Sequence, residues 1–529
     1  MKLRTIVKIA ITSSVVLLCS GFALYSFFRL SAAEGQKDFN LYELVPSTTS
    51  AVFVTDDVLE FVAEVDELTC SKNQQYLYVS KLFSYLKQSL YALSEDTPHG
   101  LSRQMNQMLI SFHEPDNERN QVLYCRLGNG DKELVNRFVR KYISSLYPPK
   151  TFIYKGEEII IYPMADGDFL ACYLTSDFMA LSFQKKLIEN VIDAYKSGKS
   201  LADDSTFTGI RAPKKSAAAA TIYTRMQGMM GWTEFDMKMK DDFIYFSGIT
   251  HDADTCFAFI NQLRQQQSVK GFPGEVLPST AFYFSRQGIT DWVSLLSYGN
   301  AQGQSVPART SEVQNRDKEF SRYLMENAGQ DLVACLFQRE DTLQGAAAVL
   351  SLSVADVTEA ERMLRALVNA APADEGRRNP RITFCYTVNK AYPIYRLPQT
   401  TLFEQLTSFA EPTLDVYAAF YGGRLLLAPD ADALAHYIRQ LDKGEVLNGA
   451  MAYQTGMDHL SDSYHFMLMA DFDHIFQQSE NHVRFVPDFF LRNADFFRHF
   501  TLFVQFACAD GVVYPNICLL YTSPSPRDA

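Results

Sequence analysis

The chain has 529 residues, of which 47% are hydrophobic, 13% aromatic and 21% charged. This composition is typical of a globular protein and excludes a disordered or collagen-like chain, while the length predicts two or more domains. The formal charge of −12, from 49 basic and 61 acidic residues, repels phosphate backbones, so nucleic acid is not an expected partner.

The first 29 residues carry the pattern of a signal anchor. Three basic residues among the first eight precede an uncharged, mostly apolar run at 9–28. As a helix this run is long enough to cross a hydrocarbon layer of roughly 30 Å, and its basic flank is expected to stay in the cytoplasm. We therefore expect a cytoplasmic tip and transmembrane helix at 1–29 and a polar stalk at 30–43. The protein would be single-pass in the cell inner membrane, with the bulk of the chain periplasmic or otherwise extracytoplasmic.

A cleaved signal peptide is the competing interpretation. Ser31-Ala32-Ala33 offers small residues of the kind at which such peptides are cut. The apolar run is long for a signal peptide, however, and Arg29 separates it from these small residues. The pattern therefore favours the uncleaved anchor.

The remainder of the chain contains an internal duplication. The stretch at 181–208 returns at 427–454 without a gap, at an offset of 246 (444 − 198) that carries Gly198 onto Gly444. Self-similarity over such a length indicates that one structural unit is present twice.

Each half also opens in the same way. Pro-Ser-Thr at 46–48 and at 278–280 is followed by a strand-like apolar run and then by apolar residues at helical spacing. We therefore expect two α+β repeats, the first at 44–275 and the second at 276–517.

The duplicated stretch predicts a strand followed by a helix that packs on a sheet. Leu187 and Ile188 begin an apolar helical face, and Gly198 is suited to end the helix. In the second copy Asp430 is suited to cap the start of the helix and Gly444 to end it.

Pairs of short apolar runs joined by turn residues predict antiparallel strand pairs. These pairs are expected at 151–162, 169–183, 235–249, 382–397, 416–427 and 503–517. Strand pairs with interspersed helices are typical of α+β folds and not of a doubly wound parallel sheet. The expected fold is an α+β protein in which an N-terminal transmembrane helix precedes two tandem repeats of largely antiparallel sheet with packed helices, with a cleft between the repeats.

Nine cysteines are present, and none forms a CxxC pair. Most lie in apolar, strand-like runs, which favours buried cysteines that behave as small hydrophobic residues over a metal site or a disulfide framework. Their spacing alone does not exclude two disulfides.

The final residues, 518–529, resemble a translated sequencing adaptor. Their sequence begins Cys-Leu-Leu-Tyr-Thr-Ser-Pro-Ser-Pro-Arg-Asp. We expect that they do not belong to the native protein, which would then continue past Ile517.

Patterns that carry chemistry are weak in this sequence. Ser197-Gly-Lys-Ser resembles the end of a phosphate-binding loop, but Asp193 stands where that loop needs glycine. Asp471, Asp473 and His474 lie close together, but on a strand that enters a helix they need not face the same way, as metal ligands must. Carboxylate pairs such as Asp203-Asp204 are typical of turns and caps. Neither GxSxG nor HExxH is present. We therefore assign no catalytic residue, no cofactor and no metal ligand.

A phenylalanine-rich insertion at 479–499 distinguishes the second half. A helix in this insertion would place several rings on one face, which is the pattern of ordinary core packing. Rings that stay exposed would form an apolar surface suited to a protein or lipid partner. The candidate residues for this partner-binding surface are Phe485, Phe489, Phe490, Phe496 and Phe497.

Several of these features resemble one bacterial envelope family. They are the N-terminal anchor pattern, Val45-Pro-Ser-Thr followed by a strand, and the helix that ends at Ser197-Gly-Lys-Ser-Leu-Ala-Asp-Asp-Ser-Thr-Phe. The chain resembles the uncharacterised domain-of-unknown-function family three-three-five-two over most of 44–517. The resemblance implies a membrane-tethered extracytoplasmic protein and carries over no activity, because none is established for the family.

The expected function is that of a non-enzymatic binding or structural component of the bacterial envelope. Its partners would be the membrane, through the N-terminal helix, and another envelope protein or a lipid. Two other classes stay open: an extracytoplasmic hydrolase of envelope polymers with a site between the repeats, and a lipid-binding protein with an apolar groove. A polar cleft with converging carboxylates or histidines would favour the hydrolase, and a deep apolar tunnel would favour lipid binding.

Overall fold

The computed structural model describes residues 39–73, 105–114, 117, 119–128, 131–138, 147–164, 167–211, 218–225, 231–250, 258–290, 292, 295, 310–339, 345–370, 381–388, 390–407, 415–478 and 486–522. The predicted transmembrane helix and residues 30–38 of the predicted stalk lie outside these residues. Within them, no helix is both long and apolar enough to cross a membrane.

Short apolar runs rich in β-branched and aromatic residues form the strands, since these side chains pack well on a pleated surface. In chain order the described strands are β1 Ala51–Thr55, β2 Met108–Phe112, β3 Gln121–Arg126, β4 Lys150–Tyr154, β5 Glu157–Pro163, β6 Phe169–Leu174, β7 Phe178–Ser182, β8 Ala220–Thr224, β9 Thr233–Lys240, β10 Phe243–Thr250, β11 Val269–Lys270, β12 Ala281–Gly288, β13 Ala328–Gln338, β14 Ala346–Val354, β15 Ile382–Tyr386, β16 Ala391–Pro398, β17 Asp415–Tyr421, β18 Arg424–Ala428, β19 Ser463–Tyr464, β20 Phe466–Asp471, β21 Phe500–Ala509 and β22 Val512–Tyr521. β11 and β19 form a small ladder of their own, and the other twenty belong to one sheet.

The two halves of this sheet have the same internal strand order. From its outer edge inward, the first half runs β4-β5-β6-β7-β3-β2-β1-β8-β9-β10. The second half runs β15-β16-β17-β18-β14-β13-β12-β20-β21-β22, and every pairing is antiparallel. Each strand therefore has a counterpart at the same distance from the centre, which is the arrangement produced when two copies of one unit join edge to edge.

The halves join at the centre through β10 and β22. The register runs from Phe243 with Leu520 to Thr250 with Val513. The two tyrosines at 245 and 514 set the sequence offset between these strands at 269 (514 − 245). At this offset the counterpart of Ser247 is Asn516 (516 − 247 = 269), and Ser247 pairs with Asn516 in the sheet. The pseudo-twofold axis of the duplication passes through this pair.

The expected fold class is therefore wrong. Two separate sheet repeats with a cleft between them are not formed, because one twenty-stranded sheet runs through both halves. An unpaired edge strand leaves a row of N–H and C=O groups without partners, and the pairing of β10 with β22 satisfies these groups for both halves at once. The transmembrane helix of that expectation has no counterpart among the described residues.

Helices cover both faces of the sheet. In chain order the described α-helices are α1 Val58–Glu67, α2 Thr69–Lys72, α3 Asp131–Phe138, α4 Lys185–Ser197, α5 Ser205–Ile210, α6 Ala258–Gln265, α7 Ser311–Asn327, α8 Val357–Ala370, α9 Leu402–Leu406, α10 Ala431–Asp442, α11 Met451–Met457, α12 Phe472–Phe476, α13 Asp488–Arg492 and α14 Ala494–Phe497. On one face a single apolar core extends through both halves and includes Ile244 of β10 and Leu519 of β22. On the other face each half has its own core, which contains Ile188 of α4 in the first half and Leu434 of α10 in the second.

The helix predicted in the duplicated stretch is confirmed in both copies. In α4, Leu187 and Ile188 are buried, and Gly198 ends the helix in the left-handed conformation at φ 63°. In α10, the carboxylate of Asp430 accepts a hydrogen bond from the backbone N–H of Ala433 at 2.7 Å. Gly444 beyond α10 also has a positive φ, 77°.

The adaptor-like sequence begins inside a strand. Cys518 and Leu520 are buried and pair with Tyr245 and Phe243 of β10. The sheet thus includes the first residues of the segment at 518–529, and residues 523–529 lie outside the described part of the chain.

Candidate functional site

The described part of the phenylalanine-rich insertion holds a cluster of aromatic rings on α13 and α14. The ring centroids of Phe490 and Phe497 lie 4.8 Å apart with nearly perpendicular planes. Phe472 of α12 lies 4.9 Å from Phe490, and Phe489 lies 5.5 Å from Phe497, again edge to face. Contacts of this kind stabilise beyond simple area burial and fix the orientation of the rings.

The five predicted partner-binding residues divide between core and surface. Phe497 is buried, and Phe490 and Phe496 are partly buried against the core that both halves share. Phe489 is 40% exposed. Phe485 lies outside the described residues.

We call the exposed surface around Phe489 on α13 the insertion surface. Leu491 is also exposed, but two positions along a helix it points to a different side. The rings beneath Phe489 are packed against the core, so the side chain is presented with little conformational freedom. Asn493 strengthens this local structure, because its side-chain amide donates a hydrogen bond to the carbonyl oxygen of Phe489 at 2.8 Å. A side chain held in this way loses little entropy when a partner binds.

The histidines of the second half make separate contacts. His474 Nδ1 lies 2.8 Å from Asp471 Oδ2, and Asp471 also caps the start of α12. His465 Nδ1 lies 3.2 Å from the backbone N–H of Cys508, which donates to it. Among the described residues, no three His, Cys, Asp or Glu side chains are grouped so that they could hold a metal ion.

Residues of the weak sequence motifs occupy helix ends and turns. Asp203 accepts hydrogen bonds from both the hydroxyl and the backbone N–H of Ser200 in a capping box, and Asp204 caps α5. Gly198 and Lys199 of the phosphate-loop-like motif follow α4 directly. These polar groups stabilise backbone ends and do not converge on one point.

A hydroxyl–imidazole contact that the sequence did not reveal lies in the first half. Ser111 Oγ is 2.9 Å from His113 Nε2 and 3.0 Å from the hydroxyl of Tyr124. Burial lowers the pKa of His113 to about 4, so the imidazole is neutral near pH 7. A neutral imidazole could accept a proton from serine, but Ser111 and Tyr124 have no exposed surface, so a polymer substrate does not reach the hydroxyl. The only signal in the sequence was the spacing of two residues between Ser111 on β2 and His113 just after it.

A second polar cluster links β12, β13 and β18. Asp331 Oδ2 lies 3.1 Å from Arg286 Nε and 3.3 Å from a terminal nitrogen of Arg424, and Arg424 Nε donates to Ser351 Oγ at 2.6 Å. Burial by itself raises the pKa of Asp331, but Arg424, Ser353 and Arg286 outweigh it, and the pKa is lowered overall. Two cations thus share one buried carboxylate.

The cysteine thiols of the described residues are also poorly placed for catalysis. The seven cysteines within the described residues are free, and all but Cys508 are buried. Burial raises the pKa of Cys125 and of Cys172 to about 12. Thiols of this kind stay protonated at neutral pH and are poor nucleophiles.

A shallow groove with a cavity volume of about 20 Å³ lies between α7, α8 and β16. Phe320, Leu367 and Leu397 contribute apolar surface to it, and Arg316 lies 2.9 Å from Glu319 in its lining. This volume is far below the roughly 300 Å³ at which small-molecule sites begin.

The outer edges of the sheet carry exposed apolar side chains. On and just after β15, Ile382, Phe384, Tyr386 and Val388 are exposed, and on β4 so are Phe152 and Ile153. β15 and β4 each pair with a single strand of the sheet within the described residues. Both edges therefore present apolar surface next to unpaired sides of a strand.

Comparison of the chain with protein-family models, with curated proteins and with solved structures found no match. The resemblance to the envelope family therefore stays a prediction from sequence.

Proposed function

We propose that this chain is a non-enzymatic binding or structural component of the bacterial envelope, and that its insertion surface contacts another envelope protein. The observation that carries the proposal is the exposed ring of Phe489, which rests edge to face on Phe497. A large aromatic side chain presented from a packed base is typical of the anchor residues of protein interfaces. The basic and apolar N-terminal sequence supports a place outside the cytoplasm.

The polar groups of the described residues support a binding role over hydrolysis. The hydroxyl of Ser111 is buried, Asp331 is neutralised by two arginines, and the pKa of the Cys172 thiol is raised by burial. These groups are held in internal contacts, whereas Phe489 is presented to solvent. A hydrolase would need at least one activated nucleophile or acid–base pair within reach of its substrate.

The proposal is tested by site-specific photo-crosslinking in intact cells. A photo-reactive phenylalanine analogue at position 489 of the full-length chain is expected to give one adduct of defined mass upon irradiation, because an anchor side chain lies inside the interface. The same analogue at Leu59 on α1, which is also 40% exposed, serves as the matched control and is expected to give background labelling.

Equal labelling from positions 59 and 489 would contradict the proposal. An adduct with lipid alone would favour the lipid-binding alternative. A product of twice the mass of the chain would show that the insertion surface binds a second copy instead of another protein.

A further inference from the structure

The strand β15 has backbone groups that point away from the sheet. The backbone N–H of Arg396 donates to the carbonyl oxygen of Arg381 at 2.9 Å, and that of Thr387 donates to Lys390 at 3.0 Å. Alternate residues of an antiparallel strand face opposite neighbours. The N–H and C=O groups of Ile382, Phe384 and Tyr386 are therefore directed away from β16.

The side chains of the same residues form an apolar row. Ile382 is 37% exposed, Phe384 54%, Tyr386 70% and Val388, just beyond the strand, 98%. They alternate along the chain and so lie on one face of the sheet edge. The ring centroids of Phe384 and Tyr386 are 6.3 Å apart, so the row is continuous at its centre. An outward-facing ladder edge next to an apolar row is the arrangement that accepts an added strand.

The equivalent edge of the first half differs at the same positions. Through the sheet register, Thr151 of β4 corresponds to Ile382, and Ile153 corresponds to Phe384. Lys155 lies in the turn directly after β4, and its ammonium group is 2.7 Å from Asp193. A polar residue and a lysine therefore lie on the two sides of the exposed Ile153, and lysine at a sheet edge discourages pairing with another strand.

We propose that two copies of this chain associate through β15, antiparallel and in register, so that the sheet continues from one copy into the other. The occupant of the edge is a second copy because this unit already joins its own counterpart by antiparallel edge pairing, at β10 and β22 around the Ser247–Asn516 pair. The β15 contact repeats that kind of joint at the opposite edge of the second half. This inference does not depend on the function of the insertion surface.

The β15 sequence is self-complementary in this arrangement. A twofold axis at Phe384 sets Phe384 against its own copy and sets Ile382 against Tyr386, so that apolar residues face apolar residues. Arg381 then faces Thr387, and no two like charges lie directly opposite each other. The contact is small, so the dimer is weak and concentration-dependent.

Cysteine cross-linking of the full-length chain in detergent tests the contact. In the proposed ladder the two Cα atoms at position 384 lie about 5.5 Å apart, within the range that a disulfide spans. Under mild oxidation, Phe384→Cys is expected to form at least tenfold more disulfide-linked dimer than Ile153→Cys. The control position is the more exposed of the two, 67% against 54%, so random collision would favour the control. The unmodified chain, oxidised in the same way, shows how much disulfide-linked dimer its native cysteines form.

Sedimentation of variants without added cysteine provides the second measurement. Phe384→Lys is expected to shift the association at least tenfold toward monomer, while Ile153→Lys leaves it unchanged, and circular dichroism establishes that both variants are folded. The proposal is overturned if the unmodified chain sediments as a monomer at all accessible concentrations or if Ile153→Lys weakens the dimer as much as Phe384→Lys does. It is likewise overturned if both cysteine variants cross-link equally, or if Phe384→Lys alters only binding to vesicles of anionic phospholipid.

Discussion

Asp331 links three strands of the second half through charged hydrogen bonds. It lies on β13, between Arg286 of β12 and the guanidinium of Arg424, which reaches across β14 from β18. Arg286 also donates to the carbonyl oxygen of Gly271 at 2.8 Å and so ties the small β11–β19 ladder to the large sheet. Removal of the carboxylate would leave two largely buried guanidinium groups without their shared partner.

We expect Asp331→Asn to lower the free energy of unfolding at pH 7 by about 3 kcal/mol, because breaking a buried ion pair on one side leaves uncompensated charge. The folded pKa of Asp331 is lowered, so its stabilisation is present above the unfolded pKa of about 3.9 and is lost as the pH falls through the folded value. In urea unfolding, the difference in unfolding free energy between wild type and Asp331→Asn should therefore become smaller when the pH is lowered from 7 to about 3.

Asp458→Asn is the control for this measurement, because Asp458 is an exposed carboxylate. Its effect should stay within about 0.5 kcal/mol at both pH values. A gap for Asp331→Asn that is unchanged in acid would show that packing, and not charge, accounts for the loss.

At the level of single elements, the duplicated helices α4 and α10 are built alike but begin differently. Both bury an apolar face on the sheet and both are followed by a glycine with positive φ. Gln184, the residue before α4, makes no side-chain capping hydrogen bond, whereas Asp430 caps α10 and also lies 2.7 Å from Arg339. The sequence alone was sufficient to predict these two helices, because the apolar spacing, the capping residue and the terminating glycine are all local signals.

We expect Asp430→Ala to cost about 1 kcal/mol of unfolding free energy, because the N–H of Ala433 loses its acceptor. Asp430→Asn keeps an oxygen for that N–H and should retain most of the stability while losing the ion pair with Arg339. Thermal unfolding of the two variants distinguishes the contributions. Equal losses in both variants would assign the effect to the ion pair instead of the cap.

At the level of the whole molecule, the joint between β10 and β22 makes one sheet from two units. The backbone N–H of Tyr521 donates to the carbonyl oxygen of Asp242 at 2.8 Å, so by alternation the backbone groups of Phe246 face β22 and those of Ser247 face β9. One core also continues across the joint on one face of the sheet. The two halves are therefore expected to unfold together.

Phe246→Pro is expected to uncouple the halves and to lower stability by at least about 2 kcal/mol, because proline removes a ladder donor in a central strand. Each half contains one buried tryptophan, Trp232 and Trp292. Fluorescence in the single-tryptophan backgrounds Trp292→Phe and Trp232→Phe therefore reports each half alone. The unfolding midpoints reported by Trp232 and by Trp292 should coincide when Phe246 is present. They should separate when Phe246→Pro is added to both single-tryptophan chains.

Two further variants control this experiment. Ser247→Pro breaks the ladder to β9 inside the first half, and Phe246→Ala removes the side chain while keeping the donor. Neither is expected to separate the midpoints as Phe246→Pro does. Separation of the same size in Ser247→Pro would mean that coupling does not pass through the joint.

Sequence by itself determined the elements that depend on local patterns. The duplication, the strand pairs, the α4 and α10 helices and the turn and cap roles of residues such as Asp204 all follow from apolar period and turn chemistry. The same patterns also indicated that most rings of the insertion belong to a core, since the spacing that makes a helical face is local as well.

Tertiary structure alone decided which strands are neighbours. Strand period specifies which face a side chain occupies but not which distant strand lies beside it, so the sequence suggested two separate sheets where one is formed. The same limit hid the Ser111–His113–Tyr124 contact and the arginines around Asp331, since each is completed by residues from neighbouring strands. It also hid the apolar edge at β15. Edge strands and central strands can carry similar apolar residues, so the sequence does not show which of them lies at an edge.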